Sequence, residues 1–177
     1  QPKVVVTACA VLILIVGLVA AKPIILRYRL WQVRQALADG DPQLAVQRLE
    51  LLQNSYGNQA EISFLLARAN RHREAYGQVG ASLQAAHQLG YPVAELEREK
   101  LLAMAESGQM PTDDPALQEL LANPGNDASE IYEALVKGYY RLYELGPASL
   151  VLDVWQESYP RDAQPLYYRG LLCEHQE

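Results

Sequence analysis

Cysteine is scarce in this chain. Cys9 lies inside an apolar run and Cys173 near the end. Two such residues make neither a disulfide framework nor a zinc-ligand spacing, and they leave the redox compartment unread. Histidine is scarce too. His72, His87 and His175 are scattered, with no carboxylate or cysteine at metal-ligand spacing. No Ser or Cys sits in a nucleophile-elbow pattern. Gly77-Gln78-Val79-Gly80 lacks the Lys-Ser/Thr that a phosphate-cradling loop requires. No run alternates strictly enough between apolar and polar residues to claim a strand. These absences point away from sheet folds and away from an enzyme, and no metal or cofactor is expected.

Acidic residues are absent from the first part. Up to Leu37 the charges are Lys3, Lys22, Arg27, Arg29 and Arg34, a net of +5. From Ala38 onward ten Lys/Arg stand against twenty-one Asp/Glu, a net of −11. A basic leader is thus joined to an acidic body. The acidic body speaks against nucleic acid, because phosphate binding needs a basic surface.

Val4 to Ala21 is a charge-free run, VVVTACAVLILIVGLVAA, followed by Lys22-Pro23-Ile24-Ile25-Leu26. About 20 apolar residues in a helix cross the hydrocarbon core, so the run is just long enough to span. Lys22, Arg27 and Arg29 can snorkel or meet anionic head groups, with Tyr28 and Trp31 at interfacial depth. A cleaved signal peptide fits less well, because the apolar stretch is long and runs on past Lys22. Val6-Thr7-Ala8-Cys9 looks like a lipoprotein cleavage box, but apolar residues continue beyond it. The positive-inside rule applied to these residues favours a cytoplasmic body; a signal anchor would place it outside, and both orientations stay open. The chain reads as a fragment, and a piece from Ala38 onward is expected to be soluble.

What the chain has in quantity is self-similarity. Gly40, Leu49, Leu52 and Gly57 become Glu74, Leu83, Ala86 and Tyr91 after 34 residues. They become Gly108, Leu117, Leu120 and Gly125 after 34 more, then Tyr143, Leu152, Trp155 and Pro160 after 35. Such a period predicts a helix, a short turn and a second helix. First helices are expected near Arg27–Asp39, Ala60–Arg73, Pro92–Ser107, Ser129–Tyr143 and Gln164–His175. Second helices are expected near Pro42–Ser55, Gln78–Leu89, Pro115–Ala122 and Pro147–Ser158. Asp41-Pro42, Asp114-Pro115 and Gly146-Pro147 are start signals; Gly57-Asn58, Gly90-Tyr91-Pro92, Asn123-Pro124-Gly125 and Tyr159-Pro160 are stops.

On these residues the chain resembles the tetratricopeptide repeat family, of the bacterial membrane-anchored type. Tyr132, Leu135, Val136 and Tyr139 stand at that family's Trp, Leu, Gly and Tyr positions, and Ala148, Leu152 and Pro160 at its later ones. Gly40, Ala45 and Leu49 fit in the first repeat, and Leu66, Ala67, Leu83 and Ala86 in the second. The third departs from the pattern over Gln109–Asp114, and the fifth has one helix. The expected fold is all-α: an anchor over residues 1–26, touching the bilayer through residues 4–26, then a helical-hairpin repeat solenoid over residues 27–177. Its repeats fall near 27–59, 60–91, 92–127 and 128–162, with a partial one at 163–177. One pair of helices cannot bury its apolar stripe alone, whereas stacked pairs share a core.

The resemblance implies a protein or peptide partner held on the concave face of the first helices. Repeat phase places Phe64, Arg68, Arg71 and His72 there, with Arg98, Glu133, Lys137, Tyr140, Arg141 and Tyr167. Five of the ten basic residues of the body fall on this face, which predicts solvent-facing cations and a partner with acidic groups and an apolar anchor. Glu95, Glu97 and Glu99 read as a charged helix start favouring the dipole. Most of the tyrosines after residue 131 read as core, with Tyr140 and Tyr168 the most exposed. The expected role is a membrane-tethered scaffold. The alternatives are the anchor-plus-adaptor part of a larger enzyme, or a structural subunit packing through Ala8, Ala10, Gly17, Ala20 and Ala21.

Overall fold

The computed structural model describes residues 22–109, 114–122 and 128–174. Among the described residues the chain is helical throughout, with no strand. The described part of helix α1 covers residues 22–38. It is followed by α2 (Pro42–Tyr56), α3 (Ala60–His72), α4 (Tyr76–Gln88) and α5 (Val93–Glu106). Then come α6 (Pro115–Ala122), α7 (Ala128–Arg141), α8 (Leu145–Ser158) and α9 (Gln164–Glu174). Expected and observed boundaries agree to within a residue or two for most helices; α1 already includes residues 22–26, ahead of Arg27.

The local chemistry explains the ends. Asp41 accepts the Leu44 N–H at 2.9 Å, with Pro42 in the first turn. Asp114 accepts the Ala116 N–H at 2.8 Å before Pro115 begins α6 in the same way. Asp162 starts α9: Oδ1 accepts the Gln164 N–H at 3.0 Å, while Oδ2 takes the Trp155 indole N–H and the Ser129 hydroxyl.

The same turn closes α1, α3, α5 and α7. Gly40, Glu74, Gly108 and Tyr143 all have left-handed backbone, with φ of 75°, 62°, 71° and 59°. Each donates its N–H to the carbonyl three residues back, and the following residue donates to the carbonyl five back, at 2.8–3.2 Å throughout. This is the Schellman closure, which satisfies carbonyls that the helix end would leave orphaned. The two glycines adopt that backbone without steric cost. Glu74 and Tyr143 carry it against their Cβ atoms. The column that follows is equally regular: Leu49, Leu83, Leu117 and Leu152 are all buried.

Helices from α2 to α5 pack on their neighbours in sequence, but α5 then packs chiefly on α7, and α6 touches both only lightly. The reason lies in Gly138. A Cβ there would sit 2.0 Å from the Ala105 carbonyl oxygen. The backbones of α5 and α7 are in contact, and the eight-residue α6 lies to one side of that contact. Among the described residues the interior has three apolar clusters: one over α1–α5, one over α5–α7 and one over α7–α9.

Several expectations change here. A piece cut at Ala38 would lack part of the core, because Leu30, Val33 and Ala36 of α1, inside the expected 27–177 domain, are buried in the first cluster. Tyr168 is half-buried, as is Tyr140, whereas Tyr143 and Tyr167 are exposed at 83% and 64%. Tyr143 sits on the left-handed turn and so points out of the α7–α8 packing. Among the described residues no helix is long and apolar enough to cross a membrane. The Val4–Ala21 run, on which the spanning expectation rests, lies outside the described residues, as do His175 and residues 110–113 and 123–127.

Candidate functional site

Helix α3 lies at the centre of the first half and is buried on nearly every side. Arg71 is therefore enclosed, with no solvent exposure, where repeat phase alone puts it on the surface. Burying a guanidinium is costly unless its donors are met by charge. Three carboxylates meet them. Nε donates to Glu99 Oε1 at 2.6 Å and Nη1 to Glu106 Oε1 at 3.2 Å. Nη2 donates to Glu99 Oε2 at 3.5 Å and, more closely, to Glu130 Oε1. Glu99 and Glu106 are two helical turns apart, so both project from the same face of α5 as Leu96 and Leu102. Glu99 is a buried ion-pair partner rather than part of a solvated helix start.

The network extends along α7. Arg68 Nη2 pairs with Glu130 Oε2 at 2.5 Å, and His72 Nε2 lies 3.4 Å from Glu130 Oε1. Lys137 Nζ is 2.7 Å from Glu133 Oε1 and 3.4 Å from Glu106 Oε1. The Tyr168 hydroxyl of α9 donates to Glu133 at 2.7 Å. Four helices are thereby tied together: α3, α5, α7 and α9.

Proton affinities follow from this geometry. Burial pushes the Glu106 carboxyl up, and Arg71 and Lys137 only partly offset it. Its Oε2 is buried without a hydrogen-bond partner, which agrees with that direction. Burial also acts on Glu130, but the His72 hydrogen bond and the charges of Arg71 and Arg68 outweigh it, holding Glu130 well below the usual carboxylate range. Glu133 is likewise low, its burial outweighed by Lys137 and the Tyr168 hydroxyl. Burial and the neighbouring Glu133 charge push the Tyr168 phenol far up.

Above this network lies a groove of about 530 Å³. Arg34 of α1, Phe64 and Arg68 of α3, Glu95 of α5, Glu130 of α7 and Gln164 of α9 all line it. Phe64 and Tyr91 stack in its wall with ring centroids 4.3 Å apart. Arg34 pairs with Glu61 beside it. A second hollow, of about 330 Å³, lies at the other end of α7, lined by Glu74, Lys137, Tyr140, Arg141, Tyr143 and Leu145. There Arg141 bridges to Glu74 at 2.7 Å and sits over the Tyr76 ring.

The ten residues that the sequence nominates thus divide. Phe64, Arg68, His72 and Glu133 line the groove, and Arg71 lies beneath its floor. Lys137, Tyr140 and Arg141 line the second hollow. Arg98 is half-buried on α5 and Tyr167 is exposed on α9; neither contributes to these walls. Arg68, Arg71, Lys137 and Arg141 do not form a free basic surface, because each is paired within the fold. The carboxylates that pair them escape a search for basic residues. Glu99 and Glu106 did carry a signal, since they fall in phase with the apolar stripe of α5. Among the described residues no group of His, Cys, Asp and Glu is arranged to hold a metal.

Comparison with known proteins identifies no relative: no family model matches the chain, and no curated protein or solved structure matches it significantly.

Proposed function

We propose that the chain is a membrane-tethered adaptor without catalytic activity, whose helical-hairpin repeats, of tetratricopeptide type, hold a segment of a partner protein in the groove lined by the first helices. One observation carries this reading: α1, α3, α5, α7 and α9 all supply side chains to a single groove of about 530 Å³. The recurring left-handed turns and the buried leucine column support the repeat architecture. The charge-free Val4–Ala21 run supports the tether.

The ion network revises the kind of partner. The guanidinium groups of Arg68 and Arg71 and the Lys137 ammonium already have carboxylate partners, so they stiffen the wall rather than recruit an acidic segment. Affinity then comes from an apolar side chain against the Phe64–Tyr91 stack, with polar groups at the rim giving orientation. Ala38 and Gln164 line the groove and are exposed, so Ala38→Trp and Gln164→Trp fill it without disturbing the core. The expected result is loss of partner capture by the full chain with unchanged circular dichroism. Capture that survives both substitutions places the partner elsewhere.

A further inference from the structure

The first two described turns of α1 stand clear of the body. Residues 22–29 are exposed all round the helix, Leu26 alone being half-buried. Ile24, Ile25, Tyr28 and Trp31 are 70%, 43%, 58% and 51% exposed. From Leu30 onward the same helix turns its apolar face into the first cluster through Leu30, Val33 and Ala36. One unbroken helix is therefore part projecting stem and part core.

A helical stem of this kind is poorly suited to water. Short helices are marginal without packing, and this one shows aliphatic and aromatic surface to solvent. Its charges are of one sign: Lys22, Arg27 and Arg29 are exposed and no acid precedes Asp39. Tyr28 and Trp31 stack at 5.9 Å, forming a flat amphipathic plate beside the basic ring. Aliphatic residues, then basic residues with Tyr and Trp, is the order in which a helix leaves hydrocarbon and passes the head groups.

We propose that this stem binds the anionic head groups of a lipid bilayer, with Lys22, Arg27 and Arg29 on the phosphates and Tyr28 and Trp31 in the interface, and that it thereby sets the orientation of the groove. The inference rests on the tether reading above and adds a ligand to it. Charge complementarity selects the surface: the body from Ala38 onward, at −11, is repelled by an anionic membrane, and the stem is drawn to it. Because the helix continues without a break, Arg34 and Ala38 of the groove follow Arg29 by five and nine residues. At about 1.5 Å per residue the groove then opens within roughly 15 Å of the basic ring. A partner that reaches it is a segment lying close to the membrane.

The test uses the full chain in vesicles of phosphatidylcholine, with and without phosphatidylserine. The chain has two tryptophans, and Trp155 is fully buried, so the difference between the parent and Trp31→Phe isolates the Trp31 fluorescence. Flotation with the vesicles reports the tether separately. The expected result is a blue-shifted Trp31 emission, quenched by lipid brominated near the head group. The quenching is stronger with phosphatidylserine, and this gain is lost in Arg27→Glu/Arg29→Glu. A chain that floats while Trp31 stays unquenched overturns the inference and leaves the tether standing. Quenching that ignores both lipid charge and the double substitution overturns the head-group assignment. Emission that follows protein density instead of brominated lipid means that the stem packs on a second copy, which also overturns it. A chain that does not float removes the tether and the inference together.

Discussion

Arg71→Met is the sharpest perturbation of the interior. The substitution keeps an unbranched apolar stem and removes only the guanidinium. What remains is Glu99 without its ion-pair partner, Glu106 left with Lys137 at 3.4 Å, and the less enclosed Glu130 still held by Arg68. Breaking a buried pair from one side costs about 3–5 kcal/mol, because the orphaned charge has no solvent to turn to. For a chain of this size that corresponds to a fall in Tm of about 6–20 °C. The loss depends on pH, and the sign can be worked out. Glu130 and Glu133 are held low in the folded protein, so their contribution is present above the ordinary carboxylate range and is lost progressively as pH falls from that range through their lower folded values. Glu106 is raised, so its ionisation costs stability above its folded value and that cost vanishes on acidification. In Arg71→Met the cost grows and part of the Glu130 contribution goes. The deficit is therefore largest at neutral pH and shrinks in acid. Denaturant titration followed by circular dichroism at several pH values measures it. Changing Arg71, Glu99 and Glu106 together to Met removes the whole buried cluster and is expected to recover most of the loss. An Arg71→Met deficit below about 1 kcal/mol at neutral pH, or one that does not change with pH, refutes the reasoning.

Three further outcomes follow from packing. Gly138→Ala puts a methyl group 2.0 Å from the Ala105 carbonyl oxygen, which belongs to backbone and cannot swing aside. Despite the better helix propensity of Ala, it is expected to lose about 1–3 kcal/mol in thermal unfolding, since α5 and α7 must separate. Leu49→Ala and Leu152→Ala each empty a fully buried site and are expected to cost about 2–5 kcal/mol by denaturant titration. Removing residues 1–37 deletes α1 and uncovers the first cluster, so the piece beginning at Ala38 should bind more hydrophobic dye and melt lower than one beginning at residue 22.

Sequence alone determined the helices, their order and most of their ends. These depend on local chemistry: a period of 34 or 35 residues, Asp-Pro starts, and stops at Gly and Pro. The buried column of Leu49, Leu83, Leu117 and Leu152 was legible for the same reason, because burial on a helix follows phase. The face formed by Phe64, Arg68 and His72 was legible in position but not in character. Phase says which way a side chain leaves its helix, but not what stands opposite. Only the tertiary structure brought Glu99, Glu106 and Glu130 from two other helices around Arg71, over sequence separations of 28, 35 and 59 residues. That encounter turned an expected solvent-facing cation into the buried centre of the fold. The contact of Gly138 with Ala105 likewise has no mark in either local sequence, since a close approach belongs to two backbones at once. Charge pairing and close packing are properties of pairs of residues, and which residues pair is decided by how the helices stack.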